Sequence, residues 1–197
     1  MFSNESGKGF AGMSVCIVSF SARKGGNCAA VSELIRSLIP GAEKYDFSEF
    51  AIHPCGACQY ECFIQGDLCP WISDQEYALL EAISRSSLTY FVLPDYSDYP
   101  CANFFIFNER GLCYFQGHEE RLEAYERVPK RAVVVSNGSG ENFRMAMRYH
   151  ADQEPPMLLL SARRYGKNSL DGDLLTSEQA VAELKSFVLG DSEASLD

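Results

Sequence analysis

Short, nearly unbroken apolar runs alternate along this chain with longer stretches whose apolar residues recur every three to four positions. The first run, Val15-Cys16-Ile17-Val18-Ser19-Phe20, predicts a buried strand over 14–20. A helix is expected over 27–39, stopped by Pro40-Gly41. A weak strand falls at 43–47, and an irregular cysteine-rich insertion covers 52–72. Ser73 or Asp74 suits the cap of a second helix, whose Tyr77, Leu80, Ala82 and Ile83 sit near helical spacing. Beyond it come a strand at 88–93, a loop at 94–100, a helix over 102–115 and a charged, solvated helix face at 119–127. A strand at 131–135, a loop at 136–140, a helix over 141–150 and a strand at 157–161 follow. A polar loop then leads to a last helix over 177–189, with Thr176 or Ser177 as its cap.

Apolar strands alternating with amphipathic helices indicate a parallel sheet covered on both faces. Five strands suit the order 2-1-3-4-5. In that order a ligand lies at the carboxyl ends of strands 1, 3 and 4, beside the point where the winding reverses. Three loops therefore matter, beginning at Ser21, Pro94 and Asn137.

The chain has 197 residues, 46% of them hydrophobic, enough for one domain with a full core. That domain is expected over 13–189, between a flexible leader at 1–12 and a disordered acidic tail at 190–197. A formal net charge of −10 excludes general nucleic-acid binding, which needs a basic face. No apolar run reaches the roughly 20 residues that span a bilayer. No cationic start followed by an apolar stretch marks a signal peptide, so a cytoplasmic location is expected. In that setting eight cysteines read as thiols, metal ligands or redox groups, and Asn137-Gly138-Ser139 as a chance glycosylation match. Gly7 to Gly12 spells G-x-G-x-x-G but precedes the first strand, where a dinucleotide loop must follow one.

The segment Ser21-Ala22-Arg23-Lys24-Gly25-Gly26-Asn27-Cys28 has the makings of a phosphate loop. Free N–H groups at a helix start attract an anion, and hydroxyl and cationic side chains add to the hold. It resembles the S-x-R-x-x-x-N-[ST] loop of the flavodoxin-like NADPH-dependent FMN reductases and iron-sulfur flavoproteins, keeping Ser21, Arg23 and Asn27. It departs at Ala22, often proline there, and at Cys28, usually Ser or Thr. The resemblance implies a flavodoxin-like three-layer α/β sandwich. It also implies noncovalent FMN, its phosphate held by Ser21, Arg23, Lys24, Asn27 and Cys28.

The loop Pro94-Asp95-Tyr96-Ser97-Asp98-Tyr99-Pro100 resembles the family's P-x-Y-[WFSY]-x-x-[PV] loop beside the flavin ring. The ring would then lie against Pro94, Asp95, Tyr96 and Ser97, with Tyr96 or Tyr99 packing on it. Residues 104–110 loosely match the family's L-K-x-F-x-D-R helix, keeping Phe107 and Arg110. Asp95 and Asp98 stand where relatives more often carry apolar or small residues. A carboxylate there would disfavour an anionic reduced flavin, or would mark a different ligand. The third loop adds Asn137, Gly138 and Gly140, whose glycines allow close approach to the backbone.

Cys55, Cys58, Cys62 and Cys69 form C-x2-C-x3-C-x6-C. Four such thiolates can ligate a [4Fe-4S] cluster or a zinc ion. With Gly66 before Cys69 and Asp74 after it, the segment resembles the cysteine insertion of iron-sulfur flavoproteins, although two gaps are longer. Three readings stand open: a cluster, a structural zinc or no metal, and a Cys55–Cys58 dithiol switch. Cys16 and Cys113 read as core residues, while Cys101 lies at the ring loop and His53 reads as structural.

The resemblance implies an FMN-dependent oxidoreductase taking hydride from transiently bound NAD(P)H. Electrons would pass to a small acceptor such as flavin, a quinone or a metal centre, with no protein acid or base required. The alternatives are an FMN and iron-sulfur carrier serving a redox partner protein, and a degenerate flavodoxin-like binding protein without flavin. Relatives of this type often form homodimers, for which Phe104, Phe105, Phe107, Tyr114 and Phe115 offer a surface, the alternative being that they pack in the core.

Overall fold

A computed structural model describes residues 12–56, 58–64, 67–149 and 155–190. Apart from Gly12 and Gly190, the expected leader and tail lie outside the described residues, as do Gly66 and His150. The chain forms β1 (Val15–Ser19), α1 (Asn27–Leu38), β2 (Glu43–Asp46), α2 (Gln75–Arg85), β3 (Leu88–Tyr96) and β4 (Tyr99–Pro100). It continues through α3 (Ala102–Phe115), α4 (Glu119–Arg127), β5 (Lys130–Ser136), α5 (Glu141–Tyr149), β6 (Met157–Ser161) and α6 (Glu178–Leu189).

The five parallel strands run β2-β1-β3-β5-β6, which is the expected flavodoxin-like order, with short β4 antiparallel to β3. Strand side chains alternate between two cores, because successive Cβ atoms point to opposite faces. Val18, Phe20, Phe91, Leu93 and Val134 pack with α2, α3 and α5 through Leu79, Phe104, Phe107 and Phe143. Ile17, Tyr90, Val92 and Val133 pack with α1 and α6 through Val31, Ile35 and Leu184. Asp74 accepts from the Glu76 N–H and Ser177 from the Ala180 N–H, so both expected caps form. Helix α4 buries no residue, as its charge pattern predicts. Among the described residues, no helix is long and apolar enough to cross a membrane.

One element differs from the sequence expectation. Residues 94–100 are a β-hairpin rather than a loop: Tyr96 pairs with Tyr99 and Asp95 with Pro100. The reversal needs only Ser97 (φ 55°) and Asp98 (φ 68°), both left-handed, which is the backbone of the tight hairpin turns. Such turns usually announce themselves with Asn-Gly, and Ser-Asp hides this one.

Candidate functional site

The carboxyl ends of β1, β3 and β5 bring residues 21–28, 94–100 and 136–142 to one edge of the sheet. Helix α1 starts there at Gly26 without a side-chain cap, and its first turn holds no acidic residue. Its orphan N–H groups and dipole therefore face the loop with partial positive charge. Gly25 has φ +67°, and a Cβ there would meet no atom within 4 Å, so the loop bulges into open space. Lys24 has no hydrogen-bond or ion-pair partner among the described residues. The Ser21 hydroxyl accepts from the Arg23 N–H at 3.2 Å and stiffens the turn.

The other phosphate-loop residues are engaged. Arg23 donates from Nη2 to the Leu170 carbonyl at 3.1 Å. Asn27 donates from Nδ2 to the Ser169 carbonyl at 2.9 Å, and its Oδ1 accepts from the Leu174 N–H at 2.9 Å. Cys28 is buried, and desolvation pushes its thiol up, so it presents no free hydroxyl-like donor to solvent. The segment that holds Arg23 and Asn27 also meets the third loop. Asn137 accepts from the Ser169 N–H at 2.9 Å and donates to Asn168 Oδ1 at 3.1 Å.

At the ring end, the hairpin is latched to the β5–α5 loop. Ser136 Oγ donates to Asp95 Oδ2 and accepts from the Gly138 N–H at 2.7 Å. Asp98 Oδ2 accepts from the Asn142 N–H at 3.0 Å, at the start of α5. A Cβ at Gly138 would lie 3.6 Å from Ser136 Oγ and 3.9 Å from both Asp95 Oδ2 and Asp98 Oδ1. Gly138 thus leaves a small acidic concavity. Burial pushes the Asp95 carboxyl up, and the charge of Asp98 adds to it, against the Ser136 bond. The Oδ1 atoms of both aspartates are buried without a partner. Tyr96 and Tyr99 flank the turn with 47% and 46% of their surfaces exposed.

These residues fit a flavin mononucleotide at both ends. The uncapped, cation-flanked start of α1 suits a phosphate dianion. Two orphaned carboxylate oxygens suit the donor-bearing N–H edge of a flavin ring, since a buried acceptor without a donor is costly. A neighbouring cleft of about 410 Å³ shares Lys24 and Gly25 and continues past Ala29 and Ala30 to Lys44 and Asp46. Nothing in the sequence signalled it.

The structure divides the cysteine set. Cys62 and Cys69 are buried and pack with Cys113 of α3, while Cys55 and Cys58 stay half-buried. Cys113, expected simply as core, is thus a neighbour of the cysteine loop. Among the described residues no three Cys, His, Asp or Glu side chains are already placed to hold a metal ion, and Cys55, Cys58, Cys62 and Cys69 do not converge as one ligand set. A thiol reagent is accordingly expected to label Cys55 and Cys58 quickly and the other six only on unfolding, a pattern that mass spectrometry of the labelled protein checks.

No protein-family model and no curated protein sequence matches the chain. Solved structures do. RosB with its bound intermediate 8-demethyl-8-formylriboflavin-5'-phosphate is 12% identical over 90% of this chain and 76% of its own, with a TM-score of 0.62. The Trp repressor binding protein from Bacillus subtilis is 14% identical over 93% and 99% of the two chains, with a TM-score of 0.58. FerB, a flavoenzyme NAD(P)H:acceptor oxidoreductase from Paracoccus denitrificans, is 12% identical over 91% and 98%, with a TM-score of 0.53. Likeness at these identities establishes the flavodoxin-like fold.

Proposed function

We propose that the chain binds FMN noncovalently and works as an NAD(P)H-dependent oxidoreductase that passes electrons to a small acceptor. The observation that carries this reading is the start of α1. It is uncapped, free of acidic residues and flanked by Arg23 and Lys24, and it lies at the winding reversal of a flavodoxin-like sheet. Two structural neighbours support it: one is a flavoenzyme NAD(P)H:acceptor oxidoreductase, and another holds a riboflavin phosphate.

In this reading the loop N–H groups, Ser21, Arg23 and Lys24 hold the phosphate. Asn27 adds its Nδ2 donor to that hold, and Cys28 packs beneath the loop. Pro94, Asp95, Tyr96 and Ser97 border the ring on one side and Asn137, Gly138 and Gly140 on the other. The bound flavin supplies hydride acceptance and electron delivery. The protein's part is orientation, stacking on the exposed tyrosines, and an acidic field from Asp95 and Asp98 that disfavours negative charge on the ring.

Titration with FMN, followed by flavin fluorescence, tests the site, and NAD(P)H oxidation with a quinone or free flavin tests the activity. Arg23→Ala is expected to weaken FMN binding about tenfold, the share of one partly exposed charge-assisted hydrogen bond. Failure of the unaltered protein to bind FMN, or unchanged affinity in Arg23→Ala, would defeat the proposal.

A further inference from the structure

We infer that the segment between Gly166 and Leu174 is a releasable strap, whose backbone carbonyls hold the phosphate-loop donors until a phosphate displaces them. The inference rests on the FMN reading above and concerns the regulation of that same site.

The bonds carry the argument. The Ser169 carbonyl accepts from Asn27 Nδ2 at 2.9 Å and the Leu170 carbonyl from Arg23 Nη2 at 3.1 Å. Both donors are ones that an incoming phosphate would seek. Carbonyl oxygen is a neutral acceptor, whereas phosphate oxygen is a charged one and forms the stronger bond. The strap therefore satisfies the donors while the site is empty and is outcompeted when the anion arrives.

The strap is also built to move as a piece. Its ends are fixed, because Ala162 and Leu174 are completely buried. Between them, from Gly166 to Asp173, no residue is buried, and Leu170 exposes 57% of its surface. No residue of the middle joins a hydrophobic core, and such segments open at low cost. Its internal bonds keep its shape. Lys167 pairs with Asp173 at 2.9 Å, Leu170 N–H donates to Asn168 Oδ1 at 3.0 Å, and Asp171 N–H donates to the Asn168 carbonyl at 3.2 Å. Gly166 (φ +66°) and Gly172 (φ +79°) stand near its ends in backbone conformations that glycine adopts freely.

Release leaves the site ready. Asn27 Oδ1 keeps its bond from the Leu174 N–H, which belongs to the fixed end. The carboxamide then stays oriented with its Nδ2 free, and Arg23 Nη2 is free as well. By simple population arithmetic, the apparent FMN affinity equals the intrinsic affinity multiplied by the fraction of open strap.

Two variants loosen the strap, and neither replaces a phosphate-loop residue. Asn168→Ala removes the partner of Asn137 and the acceptor of the Leu170 N–H. Gly172→Ala puts a Cβ on a left-handed residue, where it meets the Gly25 carbonyl oxygen at 3.6 Å, an ordinary contact, so the strain falls on the strap's own backbone. Each is expected to bind FMN about threefold to tenfold more tightly, as the loss of one hydrogen bond or one backbone preference implies. In the unaltered protein, FMN is expected to speed amide exchange at Ser169, whose N–H leaves Asn137 Oδ1 on release. Binding by the variants alone would support the strap in its extreme form. Equal or weaker FMN binding by both variants, or slower exchange at Ser169 with FMN, overturns the strap and leaves the flavin reading intact. No FMN binding by any of the three proteins overturns both.

Discussion

Arg110→Ala is expected to lower folding stability by about 3–5 kcal/mol, the cost of leaving a buried charge without its partner. Arg110 is only 1% exposed, the most buried cation of the described chain, and its guanidinium joins three segments. Nη1 donates to Asp74 Oδ2 at 2.9 Å and to the His53 carbonyl at 2.6 Å. Nη2 reaches Asp74 Oδ1 and the Trp71 carbonyl, each at 3.4 Å. Asp74 meanwhile caps α2 and accepts from the His53 N–H at 3.1 Å, and the His53 ring stacks on Trp71 with centroids 3.8 Å apart. The pair thus clamps both ends of the cysteine loop against α2 and α3. Arg110→Lys is expected to recover little, because an ammonium cannot reproduce the fork that serves both Asp74 oxygens. Urea unfolding of the three proteins checks this, and a loss below about 1 kcal/mol in Arg110→Ala would refute it. Burial works to raise the Asp74 carboxyl, but Arg110 and the His53 and Glu76 N–H groups outweigh it and hold it below the ordinary value of 3.8. A depressed carboxyl stabilises the fold above the unfolded value and loses that contribution as pH falls. This part of the stability therefore fades only in acid, below about pH 4.

The same contrast between local and distant bonds decides what the sequence made legible. Strand β1 could be read because five successive buried residues show as an apolar run. The caps Asp74 and Ser177 could be read because each bonds an N–H two or three residues on. The phosphate loop was recognisable by the order of Ser21, Arg23 and Asn27, but the partners of Arg23 and Asn27 were not. They are backbone carbonyls about 140 positions away, and a carbonyl belongs to every residue alike. The residues 166–174 accordingly look like a polar loop and nothing more. The hairpin after β3 escaped because Ser97 and Asp98 take left-handed angles without a glycine. Cys113 escaped for another reason: its meeting with Cys62 and Cys69 depends on how α3 lies across the cysteine loop. Arg110, matched only as a helix residue, is the tie of that loop for the same reason.

Glu76 supplies the second large effect, of opposite sign. Its side chain is completely buried on α2, and neither carboxylate oxygen has a hydrogen-bond partner among the described residues. Desolvation pushes the carboxyl from 4.5 up to about 9, with the Asp74 charge assisting and Arg110 opposing. The folded protein therefore keeps a proton that the unfolded chain has lost between those two values. Stability must fall as pH rises through that window, by about 1.4 kcal/mol per pH unit. Glu76→Gln removes the titration while keeping the shape. It is expected to match the unaltered protein near pH 5 and to exceed it by about 2–4 kcal/mol at pH 8.5, a several-unit shift discounted for relaxation around the charge. The window separates this group from Asp74, whose contribution is lost only in acid. Urea unfolding of both proteins at pH 5, 7 and 8.5 reads the Glu76 window. Parallel profiles for the two proteins would mean that the carboxyl is ionised and paired throughout. A falling profile beside a flat one would place the proton on Glu76. Because Glu76 sits beside the clamp formed by Asp74 and Arg110, its ionisation would loosen the cysteine loop before the sheet. Cys62, Cys69 and Cys113 should then become reactive at alkaline pH in the unaltered protein and stay protected in Glu76→Gln.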